Sequence, residues 1–391
     1  MSTILSNRVQ KIKPSATLAV GERAKQLKAQ GAKIVSMGSG EPDFDTPVNI
    51  KNAAIQAISA GETRYTAVDG TPQLKNAICE KFKRENGLDY SVNEVMVSSG
   101  GKQVFYNLCQ AILSKGDEVI IPAPYWVSYP DIVILADATP VFIEAGLEQE
   151  FKITPEQLES SINANTKLFV LNSPSNPTGA VYTKSEIESL GKVLERHPHV
   201  HVISDDIYEH IRWEDDAFVN IAMACPNLKD RTIILNGVSK AYAMTGWRIG
   251  YAAGPEEIIK AMKKIQGQST SNPSSISQAA ALEAISGDQS FINMMVEAFE
   301  RRHNFLVDSL NSIDGIECPQ SRGAFYSFPR VQGLIDRLGL KDDVEFSTYC
   351  LDKISLALVP GSAFGAPGYV RLSFATSMDN LKLAIERLSN I

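Results

Sequence analysis

A lysine placed where an apolar run enters a tight turn of small residues can be desolvated enough to serve as an imine-forming amine, and Asn236-Gly237-Val238-Ser239-Lys240 has that form. Most lone lysines are simply solvated. Lys240 is set apart by the segment behind it, Met244-Thr245-Gly246-Trp247-Arg248-Ile249-Gly250-Tyr251, which is too particular for an ordinary surface turn. Ser99-Gly100-Gly101-Lys102-Gln103 precedes Val104-Phe105-Tyr106-Asn107-Leu108, whose apolar spacing is helical. Backbone N–H groups at a helix start, approached through glycines, would face a phosphate, although a Gly-Gly pair alone usually marks only a turn. Arg371 lies among apolar residues in Tyr369-Val370-Arg371-Leu372-Ser373-Phe374. Burying it calls for a carboxylate: the α-carboxylate of an amino acid, which its planar fork suits, or a protein carboxylate in an internal ion pair.

Such groups need elements to position them. From about residue 50, amphipathic stretches alternate with short apolar runs: Val95-Met96-Val97, Glu118-Val119-Ile120-Ile121, Lys167-Leu168-Phe169-Val170-Leu171, His201-Val202-Ile203-Ser204 and Thr232-Ile233-Ile234-Leu235. Runs rich in β-branched residues and separated by helical periods predict buried strands of a mostly parallel α/β sheet. Each run is followed by candidate chemistry: Ser99 to Lys102, Pro122 to Trp126, Asn172 to Gly179, Asp205-Asp206-Ile207-Tyr208, and Ser239-Lys240. Ligands of open α/β sheets sit at the carboxyl ends of strands, so five loops are expected to converge on one site. After about residue 290 the pattern changes to an amphipathic helix carrying Arg301-Arg302-His303, then Gly323-Ala324-Phe325-Tyr326 and a short strand at Gly368 to Leu372. That reads as a smaller α+β lobe. The expected division is a large domain at 46–290 and a small domain formed by 1–45 with 291–391.

At 391 residues the chain is too long for one compact core, and 44% apolar against 21% charged residues suits two folded lobes with a cleft between them. The net charge of −7 has no basic stripe within it, which argues against nucleic-acid and anionic-membrane partners. No apolar run approaches bilayer length and Met1 to Arg8 lacks a secretory pattern, so a cytoplasmic protein is expected. The five cysteines are scattered and fit reduced structural thiols. His197, His199 and His201 alternate as if along one strand face, but no cysteine or carboxylate stands in ligand register; a solvated or edge-strand run is preferred to a zinc cluster, and no metal is expected.

The pattern S-K-x-x-x-M-T-G-W-R-I-G-Y at Ser239 to Tyr251 resembles the cofactor-lysine signature of class I aminotransferases, in the fold-type I pyridoxal-phosphate family. Gly38-Ser39-Gly40-Glu41-Pro42-Asp43-Phe44, Tyr65, Ser99 to Lys102, Tyr125-Trp126, Asn176-Pro177-Thr178-Gly179, Asp205 to Tyr208 and Arg371 fit the same family in the same order, so the resemblance covers nearly the whole chain. It implies pyridoxal 5′-phosphate on Lys240. Asp205, selected over Asp206 both by the family pattern and by strand alternation, would keep the pyridine nitrogen protonated, with Ile207 beneath the ring. Tyr208 and Asn176 would reach the phenolic oxygen, and Trp126 would stack on the ring and meet a substrate carboxylate. The Gly101-Lys102 loop, Ser239 and Arg248 would hold the phosphate, with Tyr65 supplied by the neighbouring subunit of a homodimer. Arg371 and the Gly40 backbone would take the substrate α-carboxylate. The bonds before Pro124 and Pro177 would be cis. Many relatives have serine three residues before the lysine, whereas this chain has Gly237, which puts that phosphate contact in doubt.

The reaction implied is ping-pong amino transfer, with Lys240 also the base that moves the Cα proton and Tyr208 beside it. Lys11-Ile12-Lys13-Pro14-Ser15-Ala16-Thr17, with Lys102, resembles the bacterial aspartate aminotransferase branch, some of whose members also use prephenate. In that branch Lys102 and the hydroxyls of Ser15 to Thr17 would receive a distal carboxylate, and Lys13 is associated with prephenate use. Aspartate with 2-oxoglutarate is the expected pair. Aromatic or alanine amino transfer, or a β-lyase on the same scaffold, remain alternatives, as does a non-catalytic cofactor-binding regulator, which the absence of a basic helix disfavours.

Overall fold

A computed structural model describes residues 4–14, 16–213 and 216–391. Seven strands form its central sheet: β1 Val95–Ser98, β2 Glu118–Ala123, β3 Thr139–Glu144, β4 Thr166–Asn172, β5 His201–Asp205, β6 Thr232–Gly237 and β7 Gly250–Ala253. Their order is β1-β7-β6-β5-β4-β2-β3, and only β7 runs against the rest. The five apolar runs are all strands. Their side chains are buried on both faces because helices cover both sides, as parallel sheets require.

Two strands escape the apolar-run reading for physical reasons. β3 lies at the sheet edge, contains Pro140 and is half exposed along its length, so it lacks a continuous apolar run. β7 reads Gly-Tyr-Ala-Ala and has no β-branched residue. Its small side chains answer to crowding: a Cβ on Gly250 would lie 2.4 Å from the Gly101 amide nitrogen. The histidine run is also corrected, since only His201 lies in a strand. His197 follows the helix Lys184–Glu195 and pairs with Glu159, and the His199 ring contacts the Asn163 carbonyl.

A second core gathers Val35 and Met37 with Phe299, Phe325, Leu356 and Leu372. Val35–Ser36 pairs in parallel with Leu356–Ala357. A small antiparallel sheet carries Arg371, with β8 Tyr326–Ser327 and β9 Val359–Pro360 flanking β10 Val370–Ser373. The 22-residue helix Ser290–Asn311 contributes Ile292 to the sheet-side core and Phe299 and Leu306 to this one, joining the two regions. Tyr208 and Ile211, just beyond β5, pack into the same second core, which places the sheet's carboxyl edge against it. The short helix Asn7–Lys11 lies instead against Ser128–Leu135.

Candidate active site

A cleft of about 440 Å3 opens between the carboxyl ends of the strands and the N-terminal residues Leu18 and Ser39 to Glu41. Lys240, in the turn after β6, enters its floor. The Nζ donates to the Gly40 carbonyl at 2.5 Å and lies 5.8 Å from the ring centres of Tyr208 and Phe325. Desolvation, with the nearby charge of Arg371, pulls the amine down to about 8. It is therefore partly neutral near physiological pH, as a nucleophile or base must be.

Across the cleft, Asp205 closes β5 beside Asn172 of β4. Burial raises its carboxyl to about 6, opposed by hydrogen bonds from Tyr129 and the Ile207 amide and by the charge of Lys240. Tyr129 Oη donates to one carboxylate oxygen at 2.5 Å and the Ile207 N–H to the other at 3.2 Å. The neighbouring carboxylate is turned away: Asp206 accepts from Ser204 Oγ and Asn220 Nδ2 at 2.6 and 2.7 Å, within a buried polar network. Asp205 and Ile207 both line the cleft.

The Gly-rich loop takes the conformation its glycines permit. Gly100, at φ +90° and ψ 163°, precedes the helix Gly101–Ile112, and a Cβ there would stand 2.2 Å from a guanidinium nitrogen of Arg248. Arg248 donates to the carbonyls of Ser99 at 3.3 Å and Thr245 at 3.0 Å, so its fork sits over the exposed helix start. Lys102 lies on the same rim, 5.3 Å from the Trp126 ring centre, and desolvation and the Arg248 charge hold its amine below the ordinary value. Ser239 also lines the cleft. At Gly237, by contrast, a Cβ would lie 3.0 Å from the Ile249 carbonyl oxygen and from Gly250 Cα, so close approach of the paired strands, not a vacant polar subsite, accounts for glycine there.

Arg371 is 2% exposed. It donates to Asn176 Oδ1 and the Gly38 carbonyl, each at 2.9 Å, while the Tyr326 and Phe364 rings lie 4.4 and 5.0 Å from the guanidinium carbon. Among the described residues its Nε has no hydrogen-bond partner and no carboxylate pairs with it. The internal ion pair weighed for this arginine is thus not formed there. Asn176 is held by its amide N–H on Asn172 Oδ1. The bonds before Pro124 and Pro177 are cis, and so is Ser173-Pro174.

Two expected participants, Lys13 and Tyr65, stand outside the cleft lining. Lys13 is exposed and outside the cleft lining, with only its backbone N–H tied to Asp131. Ser15 lies outside the described residues, and its neighbour Leu18 reaches the cleft. Tyr65 is 91% exposed on a loop away from this chain's own cleft. The sequence reading missed Tyr129 and assigned no role to Tyr326, whose hydroxyl meets that of Tyr208 at 2.9 Å. Burial and the adjacent hydroxyl and Asp205 push Tyr208 well above the ordinary phenol range.

A desolvated lysine, a buried carboxylate opposite it, a helix start under an arginine fork and an unpaired buried arginine are the parts of amino-transfer chemistry. The chain belongs to the class I and II aminotransferase family, whose model matches residues 32–388. It is a transaminase with the fold-type I architecture of its structural neighbours. It is 58% identical to the aspartate/prephenate aminotransferase of Nitrosomonas europaea over 99% of both chains. The crystal structure of the Rhizobium meliloti aspartate aminotransferase superposes with a TM-score of 0.95 at 48% identity, covering 100% of this chain and 98% of that one. The Thermus thermophilus aspartate aminotransferase with maleate gives 0.94 at 43% identity, with complete coverage of both.

Proposed function

We propose that the chain transfers the amino group of aspartate to 2-oxoglutarate, giving oxaloacetate and glutamate in ping-pong turnover, with pyridoxal 5′-phosphate bound at Lys240. Arg371 is the single observation that carries the substrate reading. A guanidinium buried without a carboxylate is destabilising, and the α-carboxylate of an amino or keto acid supplies the missing charge. The cofactor fits the donor set. The missing Cβ of Gly100 lets the Arg248 guanidinium come down on the helix start, where the two together offer an anion N–H donors and positive charge, the amine of Lys240 is drawn down to about 8, and Asp205 offers a buried carboxylate on the opposite side.

When bound, pyridoxal phosphate supplies the electron sink for the pair left at the substrate Cα. The protein's part is positional and electrostatic. Gly101, Ser239 and Arg248 would hold the phosphate, Asp205 would keep a proton on the ring nitrogen, and Tyr208 and Asn176 would hydrogen-bond its phenolic oxygen. Trp126 and Ile207 would enclose the ring. Arg371 and the Gly40 backbone would orient the substrate so that Lys240 Nζ could take the Cα proton and deliver it to the cofactor's C4′ carbon. Lys102, with the hydroxyls of Ser15 to Thr17, would receive a distal carboxylate. The Thermus neighbour is a structure with maleate, a dicarboxylate, which supports that reading.

The name of the Nitrosomonas relative supports prephenate as a second acceptor, with Lys13 as the associated residue. Exposed Tyr65, together with the exposed apolar Val48, Ile55 and Ile58, supports a homodimer with shared sites. The two cores support a large domain at 46–290 and a small one of 1–45 with 291–391. Among the described residues no helix is long and apolar enough to cross a membrane, and we place the enzyme in the cytoplasm.

The test is a donor and acceptor panel on the holoenzyme, pairing aspartate, glutamate, alanine and aromatic donors with 2-oxoglutarate, oxaloacetate and prephenate. Aspartate with 2-oxoglutarate should dominate, and Lys240→Ala should abolish turnover. Turnover without any keto acid would replace the reading with a β-lyase, and preference for alanine or aromatic donors would remove the distal-carboxylate role of Lys102.

A further inference from the structure

We propose that Tyr129 is a positioning residue that holds Asp205 ionised and aimed into the cleft, so that the enzyme's grip on the cofactor ring runs through a tyrosine hydroxyl. The inference rests on reading Asp205 as the partner of the ring nitrogen. Tyr129 lies in the helix Ser128–Leu135, 2% exposed, where its packing demands no hydroxyl. Phe105 meets it edge-on at 4.9 Å and Trp126 at 5.2 Å. A phenylalanine would fill that aromatic nest equally well. The hydroxyl has one described partner, Asp205 at 2.5 Å, and it fixes the carboxylate oxygen that the Ile207 amide leaves free.

The physical need is plain. A carboxylate buried this deeply is pushed toward its neutral form, and a neutral acid cannot hold a proton on a ring nitrogen. The other ionisable groups facing Asp205 do not replace Tyr129. Lys240 acts across the cleft with a partly neutral amine, Tyr208 is pushed up in its phenol form, and burial, with the Glu209 charge, pushes the Asp206 carboxyl well above the ordinary range toward its own neutral form. Among the described residues, only Tyr129 and one backbone N–H donate to the carboxylate directly. Because Tyr129 also touches the Trp126 ring, one side chain sets the carboxylate and one aromatic wall of the cleft together.

The test uses Tyr129→Phe, which keeps the ring. In the apoprotein, isotope-edited infrared spectroscopy should find the Asp205 carboxyl titrating about one to two pH units higher than in the parent, the effect of losing one hydrogen bond to a charged group. In parallel, the affinity for pyridoxal phosphate should fall about tenfold or more at neutral pH, and that loss should vanish when Tyr129→Phe is made on an Asp205→Asn background. An unmoved Asp205 titration, or an equal loss of affinity on both backgrounds, overturns the proposal, because packing alone would then explain Tyr129. The reading of Asp205 fails by a different sign: Asp205→Asn alone would bind the cofactor and turn over as the parent does, while the apoprotein titration still decides the role of Tyr129.

Discussion

Asp205 and Lys240 face each other with pKa values displaced in opposite senses, one raised from 3.8 to about 6 and the other lowered from 10.5 to about 8. Each displacement costs stability before a ligand arrives. Asp205 binds its proton more tightly folded than unfolded, so its penalty is absent below about pH 4, grows between about 4 and 6, and is complete above 6. Two units correspond to about 3 kcal/mol. Asp205→Asn retains an acceptor for Tyr129, so the apoprotein of this variant should be about 2 to 3 kcal/mol more stable than the parent at pH 7 to 8, with the gain gone near pH 4. Denaturant midpoints across that range check it, and a pH-independent difference would refute the linkage. Lys240 runs the other way: its cost is complete below about pH 8 and is relieved as pH rises toward 10.5. The lysine, the aspartate and Arg371 were legible in the sequence because unusual neighbours surround each one. Tyr129 and Tyr326 were not, since nothing in a tyrosine's local pattern tells whether its hydroxyl points inward.

At the scale of elements, the strand ends β5 and β6, the helix start at Gly101 and the turn ending in Arg248 must meet within a few ångströms, and glycine decides whether they can. Gly100 occupies a backbone region essentially confined to glycine, with the Arg248 guanidinium where a side chain would begin. Gly100→Ala should therefore destabilise the protein by about 1 to 3 kcal/mol and displace the arginine fork. The diagnostic outcome is selective: affinity for pyridoxal phosphate should drop by at least about tenfold, while affinity for pyridoxal, which lacks the phosphate, should change little. Equal losses for both ligands would mean that the loop shapes the cleft in general and does not hold an anion. The apolar runs announced five of the seven strands, and the loops behind them announced the site. β3 and β7 stayed hidden because one sits half exposed at an edge and the other is built from residues chosen for close approach, neither of which leaves a hydrophobic pattern.

For the whole molecule, the loop bearing Tyr65 poses the remaining problem, for it is firmly held yet presents its aromatic ring to solvent. Gln278 Nε2 donates to Thr66 Oγ1 at 3.0 Å and its Oε1 accepts the Thr71 N–H at 2.8 Å. Buried Gln266 donates to the Val68 and Val97 carbonyls and accepts from Ser98 Oγ and Asn107 Nδ2, so one amide braces this loop, the end of β1 and the helix that follows the Gly-rich turn. A braced loop that displays a tyrosine is what the proposed dimer with shared sites calls for. Helix Val48–Ser59 exposes Val48, Ile55 and Ile58, apolar surface of the kind a second copy would cover. In a two-fold dimer with shared sites, subunits carrying Lys240→Ala and subunits carrying Tyr65→Ala are each poor alone but complementary when mixed. A hybrid then has one site with both defects and one with neither, and should turn over at roughly half the rate of the parent dimer. If Tyr65 served its own subunit, every site in the hybrid would keep one defect and mixing would restore nothing. Activity measured after co-refolding tagged subunits and isolating the hybrid separates these outcomes.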